Sequence, residues 1–99
     1  MPTEPSRSDA DRAFSNFPTA CFSVHADVDP GLMPRIVAIF ARRGLVPSRW
    51  HSSVGGPDER LTIDLELHGL APDLAVRIAA EMRAVWGVSL VLSSNKHPA

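Results

Sequence analysis

His25, His51 and His68, together with Asp64 and Glu66, could all point to the open face of a sheet, and their types could ligate a metal ion through nitrogen and oxygen. Each is one polar position in an alternating run, and nothing in the spacing makes them converge. Such runs also pair a histidine with a carboxylate across neighbouring strands. The expectation is therefore a solvated polar sheet face with no metal, and a metal-binding ferredoxin-like protein is kept as the third of three readings. Cys21 is the only cysteine, so an internal disulfide, a Cys-x-x-Cys site and the two-thiolate loop of a copper carrier are all excluded. Ser52-Ser53 and Ser93-Ser94 lack the strand-to-helix elbow of a nucleophilic serine, and Gly55-Gly56 reads as hairpin punctuation rather than a phosphate loop. No nucleophile, base and orienting group come together, so neither catalysis nor a cofactor is expected.

Charge narrows the partners. Ten Lys and Arg against eleven Asp and Glu leave a formal net charge of -1, which gives polyanions no electrostatic foothold. The strand positions where an RNA-recognition module carries stacking aromatics read Ser23 and His25, then Thr62, Asp64 and Glu66, which puts two carboxylates under any phosphate backbone. Nucleic acid is not an expected partner. Nor is a membrane, because no signal peptide and no membrane-length apolar run is present, and the cytoplasm is the expected location.

The elements that would position these residues follow from hydrophobic period. A chain of 99 residues accommodates one core. Residues 1–18 are rich in Pro, Ser, Arg and Asp, with Phe14 and Phe17 as apolar anchors, and read as a disordered leader. Phe22, Val24 and Ala26 alternate with polar residues, the mark of a half-buried strand. Asp29-Pro30-Gly31 ends it, and Leu32, Met33, Ile36, Val37, Ile39 and Phe40 recur at helical spacing up to Arg42, Arg43 and Gly44. Pro34 confines the start of that helix to Gly31 or Leu32.

A second strand is expected over Val46 to Val54, and Pro47 makes it an edge strand. The turn Gly55-Gly56-Pro57-Asp58 leads into Leu61 to His68, the longest unbroken alternation in the chain. Leu74, Ile78, Met82 and Val85 give a second helix opened near Pro72-Asp73 and closed at Gly87, and Val88 to Leu92 a short last strand. Residues 19–92 thus form one domain, and 93–99 a frayed tail. The order β-α-β-β-α-β defines an α+β class, a ferredoxin-like sandwich with two helices on one face of a four-stranded antiparallel sheet. The open edge near Arg49, Trp50, His51, Ser52 and Ser53 is the expected contact of a homodimer. Trp50 suits either core or that contact, whereas Trp86 is expected in the core.

Asp29-Pro30-Gly31-Leu32-Met33-Pro34-Arg35-Ile36-Val37-Ala38-Ile39-Phe40-Ala41-Arg42-Arg43-Gly44 resembles the opening of the ACT domain in acetolactate synthase small subunits. In that family Pro-Gly, a mid-helix Arg, Leu-Phe and Arg-Gly recur; here they are Pro30-Gly31, Arg35, Ile39-Phe40 and Arg43-Gly44. Arg60-Leu61-Thr62-Ile63 resembles the family's Arg-x-Thr-Ile, and the likeness runs from Cys21 to Leu92.

The resemblance implies a regulatory subunit of acetolactate synthase whose thiamine-diphosphate chemistry resides wholly in another polypeptide, the catalytic subunit. It also implies side-by-side pairing, with an effector loop at Val28, Asp29, Pro30, Gly31 and Leu32 and a further contact at Val46. Valine-responsive members carry asparagines where this chain has Val28 and Val46. A valine side chain cannot pair an α-amino or α-carboxylate group, so each loss costs about 1–3 kcal/mol. The chain therefore resembles the short, valine-insensitive type, with at most a weakly bound amino acid. The runner-up is a free-standing ACT module that senses an amino acid or regulates some other enzyme.

Overall fold

The computed structural model describes residues 17–96. The elements are β1 (Thr19–Ala26), α1 (Leu32–Arg42), β2 (Arg49–Gly55), β3 (Arg60–Leu67), α2 (Pro72–Arg83) and β4 (Val88–Lys96). The strands form one antiparallel sheet in the order β2-β3-β1-β4, so β1 and β3 are central and β2 and β4 are edges. This is the ferredoxin-like α+β arrangement expected from hydrophobic period.

Alternation decides which sheet face is covered. Ala20, Phe22, Val24 and Ala26 of β1 are buried, as are Leu61, Ile63, Leu65 and Leu67 of β3. They meet Leu32, Ile36, Ile39 and Phe40 of α1 and Ile78, Ala79 and Met82 of α2 in one core. A one-residue slip of either strand would turn its whole apolar set into water, which pins the register.

The ends of α1 are set locally. Gly31 is its N-cap, so Pro34 falls in the first turn, where its missing N–H is no loss. At the other end the Leu45 N–H donates to the Phe40 carbonyl and the Gly44 N–H to the Ala41 carbonyl, while Gly44 sits at φ +69°. That is a Schellman cap, which requires a left-handed residue after the last helical one. It turns the chain sharply and leaves Leu45 against the core.

Three expectations are corrected. The second strand begins at Arg49 rather than Val46, because Pro47 has no N–H for the ladder, and the Ser48 N–H and Oγ both donate to the Glu66 carbonyl just ahead of the regular pairing. The last strand runs to Lys96, so residues 93–96 belong to the domain: Ser93, Ser94, Asn95 and Lys96 pair with Phe22, Cys21, Ala20 and Thr19 of β1. Backbone pairing to a central strand needs no apolar period, which is why this extension is silent in sequence. Trp86 is 77% exposed and not core. α2 stops at Arg83, so Trp86 lies in the turn before β4 and leaves the helical phase that would have carried it inward. Residues 1–16 of the expected leader and 97–99 of the expected tail lie outside the described residues.

Candidate functional site

The loop between β1 and α1 is built around Asp29. Its Oδ1 accepts a hydrogen bond from the Gly31 N–H at 3.0 Å, its carbonyl accepts one from the Leu32 N–H at 3.0 Å, and its Oδ2 lies 3.4 Å from Arg35 Nη1. The first of these is an Asx turn, in which a short carboxylate replaces a backbone acceptor two residues away. Arg35 Nη1 also lies 3.5 Å from the Trp86 carbonyl, and the Asp27 N–H donates to the Gly87 carbonyl at 2.9 Å. The loop after β1 and the turn before β4 are thus tied into one surface. A Cβ on Gly31 would come within 3.1 Å of Arg35 Nη2, so glycine leaves room for the guanidinium beside Asp29. Arg35 acquired no separate role from its place in the motif; its reach to Asp29 appears only when one turn of helix stacks above the loop.

The effector-loop candidates divide by burial. Val28 is 53% exposed and Pro30 is exposed, Asp29 and Gly31 are half-buried, and Leu32 is fully buried in the core. The Leu32 side chain therefore cannot touch a ligand; its N–H is also taken, by the Asp29 carbonyl. Val46 is 85% exposed but lies at the other end of the molecule. Val28 follows Ala26, which pairs with Leu61, whereas Val46 borders a groove with Leu67 and His68, and Leu67 pairs with Ala20. Six strand residues separate the two ends, roughly 20 Å at about 3.3 Å per residue. Within one chain these two valines do not form a site; a second copy is needed to bring a Val28 to a Val46.

The edge strand β2 carries the dimer candidates. Its register with β3 puts Arg49, His51 and Ser53 beside Glu66, Asp64 and Thr62 on the open face, and Trp50 and Ser52 beside Leu65 and Ile63 on the helix face. Trp50 is half-buried and packs against the core margin, while the other four are exposed. Part of the Trp50 side chain thus packs on the core and part stays accessible at the β2 edge. The opposite edge is partly covered: Arg83 of α2 donates to the Val91 carbonyl of β4 at 3.0 Å.

On the open sheet face, Ser23 pairs with Asp64, Cys21 with Glu66 and His25 with Thr62. Cys21, Ser23, Asp64 and Glu66, with Arg49 and Leu92, line a shallow groove of about 480 Å³. The metal-ligand types do not gather. His25 Nε2 is 3.1 Å from Ser23 Oγ, His68 Nδ1 is 3.1 Å from Thr19 Oγ1, and both Glu66 oxygens are 3.2 Å from Lys96 Nζ. Among the described residues no three His, Cys, Asp or Glu side chains are grouped to hold an ion. The same face carries Leu90 and Leu92, in register with His25 and Ser23 and about half exposed. An apolar run such as Val88 to Leu92 has no period to say which of its residues face water.

This framework has the fold of an ACT domain. The chain superposes on the ACT domain of a GTP pyrophosphokinase from Chlorobium tepidum with a TM-score of 0.60 and 15% identity, covering 79% of this chain and 99% of that one. It matches the regulatory subunit of aspartate kinase from Thermus thermophilus with a TM-score of 0.62 and 16% identity, over 79% of this chain and 51% of that one. The C-terminal domain of the MgtC protein from Mycobacterium tuberculosis gives a TM-score of 0.65 at 16% identity, over 83% and 90% of the two chains. Neither a family model nor a curated protein matches the sequence. No helix among the described residues is long and apolar enough to cross a membrane.

Proposed function

We propose that this chain is a non-catalytic regulatory subunit of acetolactate synthase, one that pairs with itself, supports the catalytic subunit and does not make it sensitive to valine. The observation that carries the reading is the Asp29 to Gly44 segment, which resembles the family's opening and folds as one unit: an Asx turn, a helix and a Schellman cap. The ACT-type fold supports a regulatory role, since a regulatory subunit of aspartate kinase shares it. Exposure of Val28 and Val46 supports valine insensitivity, because both positions offer a ligand only methyl groups. An ammonium or carboxylate buried against them would lose its water without gaining a partner.

Reconstitution tests this. Adding the chain to the catalytic subunit should raise acetolactate formation, and valine, leucine and isoleucine should leave the raised rate unchanged. No activation would remove the assignment to this enzyme, and inhibition by valine would show the argument from the missing amides to be wrong. The second reading, an ACT module regulating another enzyme, draws on the shared fold of the GTP pyrophosphokinase domain. It takes over if the chain leaves acetolactate synthase untouched yet binds an amino acid in calorimetry.

A further inference from the structure

A groove of about 430 Å³ runs between α1 and α2, with Ala38, Ile39 and Val85 on its floor and Arg35, Arg42 and Glu81 along its rim. Ile39 is buried, and Ala38 and Val85 are half-buried, so the floor is apolar. Arg35 and Arg42 stand two turns apart on one side of α1, about 10 Å along its axis. Trp86 follows Val85 at the Arg35 end, where its carbonyl lies 3.5 Å from Arg35 Nη1 and its side chain is 77% exposed.

The charge on the helix layer is one-sided. From Leu32 to Arg43 and from Pro72 to Arg83, five arginines stand against Asp73 and Glu81, in a chain whose formal net charge is -1. Arg43 holds Glu81, so the carboxylate on the rim is already neutralised, and Arg35 shares its charge with Asp29 at 3.4 Å. Arg42 has no hydrogen-bond or ion-pair partner among the described residues. An exposed tryptophan and an unpaired arginine beside an apolar floor have the composition of a binding hot spot, in which the ring anchors and the guanidinium takes a carboxylate.

We propose that this groove docks an acidic amphipathic segment of the enzyme that the domain regulates, with aliphatic side chains on Ile39 and Val85 and a carboxylate on Arg42. Trp86 closes over the segment at the Arg35 end. Nucleic acid is also anionic, but it has no aliphatic side chains to fill such a floor. The proposal rests on the regulatory reading and not on which enzyme is regulated.

NMR titration of the isotope-labelled full chain tests it, using two synthetic amphipathic helices that differ only in carrying glutamate or lysine beside leucine. The glutamate peptide should shift the amide signals of Ala38, Arg42 and Val85 and the indole signal of Trp86, and the lysine peptide should not. Arg42 is exposed, so Arg42→Glu keeps the fold and should weaken binding about tenfold. Binding should also weaken in about 1 M salt, where the Debye length is about 3 Å. Trp86→Ala should weaken it with the melting temperature unchanged. Shifts centred elsewhere, an equal response to both peptides, undiminished binding by Arg42→Glu, or equal binding of a single-stranded oligonucleotide in the groove overturn the proposal. Reconstitution separates it from the choice of enzyme. If the parent chain raises acetolactate formation and Arg42→Glu does so equally at every concentration, the docking surface is wrong and the enzyme assignment stands. If the glutamate peptide binds as expected but the parent chain does not activate, the docking surface stands and the enzyme assignment falls.

Discussion

Asp29 shows how much a single side chain can organise and how little stability it need contribute. It accepts the Gly31 N–H and pairs with Arg35, but the two side chains are 32% and 46% exposed, so water screens the ion pair. Arg35→Ala should therefore change the unfolding free energy by less than about 1 kcal/mol. Leu32→Ala, one turn earlier and fully buried, should cost about 2–5 kcal/mol in denaturant unfolding. Trp86→Ala should stay within about 0.5 kcal/mol of the parent, since its ring is 77% exposed. A large loss at Trp86 would mean that the turn before β4 packs more tightly than its exposure implies. A tryptophan four residues past Met82 fits an apolar helical stripe on paper; only the helix's stop at Arg83 removes it from that stripe.

Among the elements, β2 is where assembly is most open. It is an unprotected edge, while β4 has a carbonyl already taken by Arg83. The expected outcome in sedimentation is a concentration-dependent homodimer through β2, abolished by proline at one of Trp50 to Ser53 whose N–H faces outward. A strictly monomeric chain at high concentration would overturn this. Trp50→Ala should lower stability by about 1–2 kcal/mol, below the 3–5 kcal/mol of a fully buried tryptophan, because its ring is half-buried at the core margin. The element types were legible because alternation and helical period are written in the residues themselves. Their ends were legible only where a special residue marks them: Gly44 closes α1, whereas nothing in Ser93 to Lys96 announces the extra pairing with β1.

At the scale of the whole molecule, the roughly 20 Å between Val28 and Val46 makes any amino-acid site of this kind a property of two chains. Val28→Asn and Val46→Asn in the same chain should give two valine-responsive sites per dimer. Mixing singly substituted chains should give one site in each mixed dimer, while either single variant alone should stay unresponsive. Calorimetric titration with valine distinguishes these cases by stoichiometry. Binding by a single variant alone would mean that the two valines do not face one another across the dimer.

By itself the sequence determined the element order, the covered sheet face and the edge position of β2, because each follows from side-chain period or from a proline that cannot donate. It also put Asp64 and Glu66 on the open sheet face at positions where a nucleic-acid-binding sheet would need stacking rings. Tertiary structure decided everything that depends on which element ends lie together. It put Arg35 beside Asp29 and the Trp86 carbonyl, set Trp50 partly on the core and Trp86 outward, and gave His25, His68 and Glu66 partners other than one another. It also separated Val28 from Val46, two positions that a linear motif sets eighteen residues apart and that an antiparallel layout sends to opposite ends of the sheet. Period is a property of neighbours along the chain. Convergence is a property of the sheet, and no local pattern encodes it.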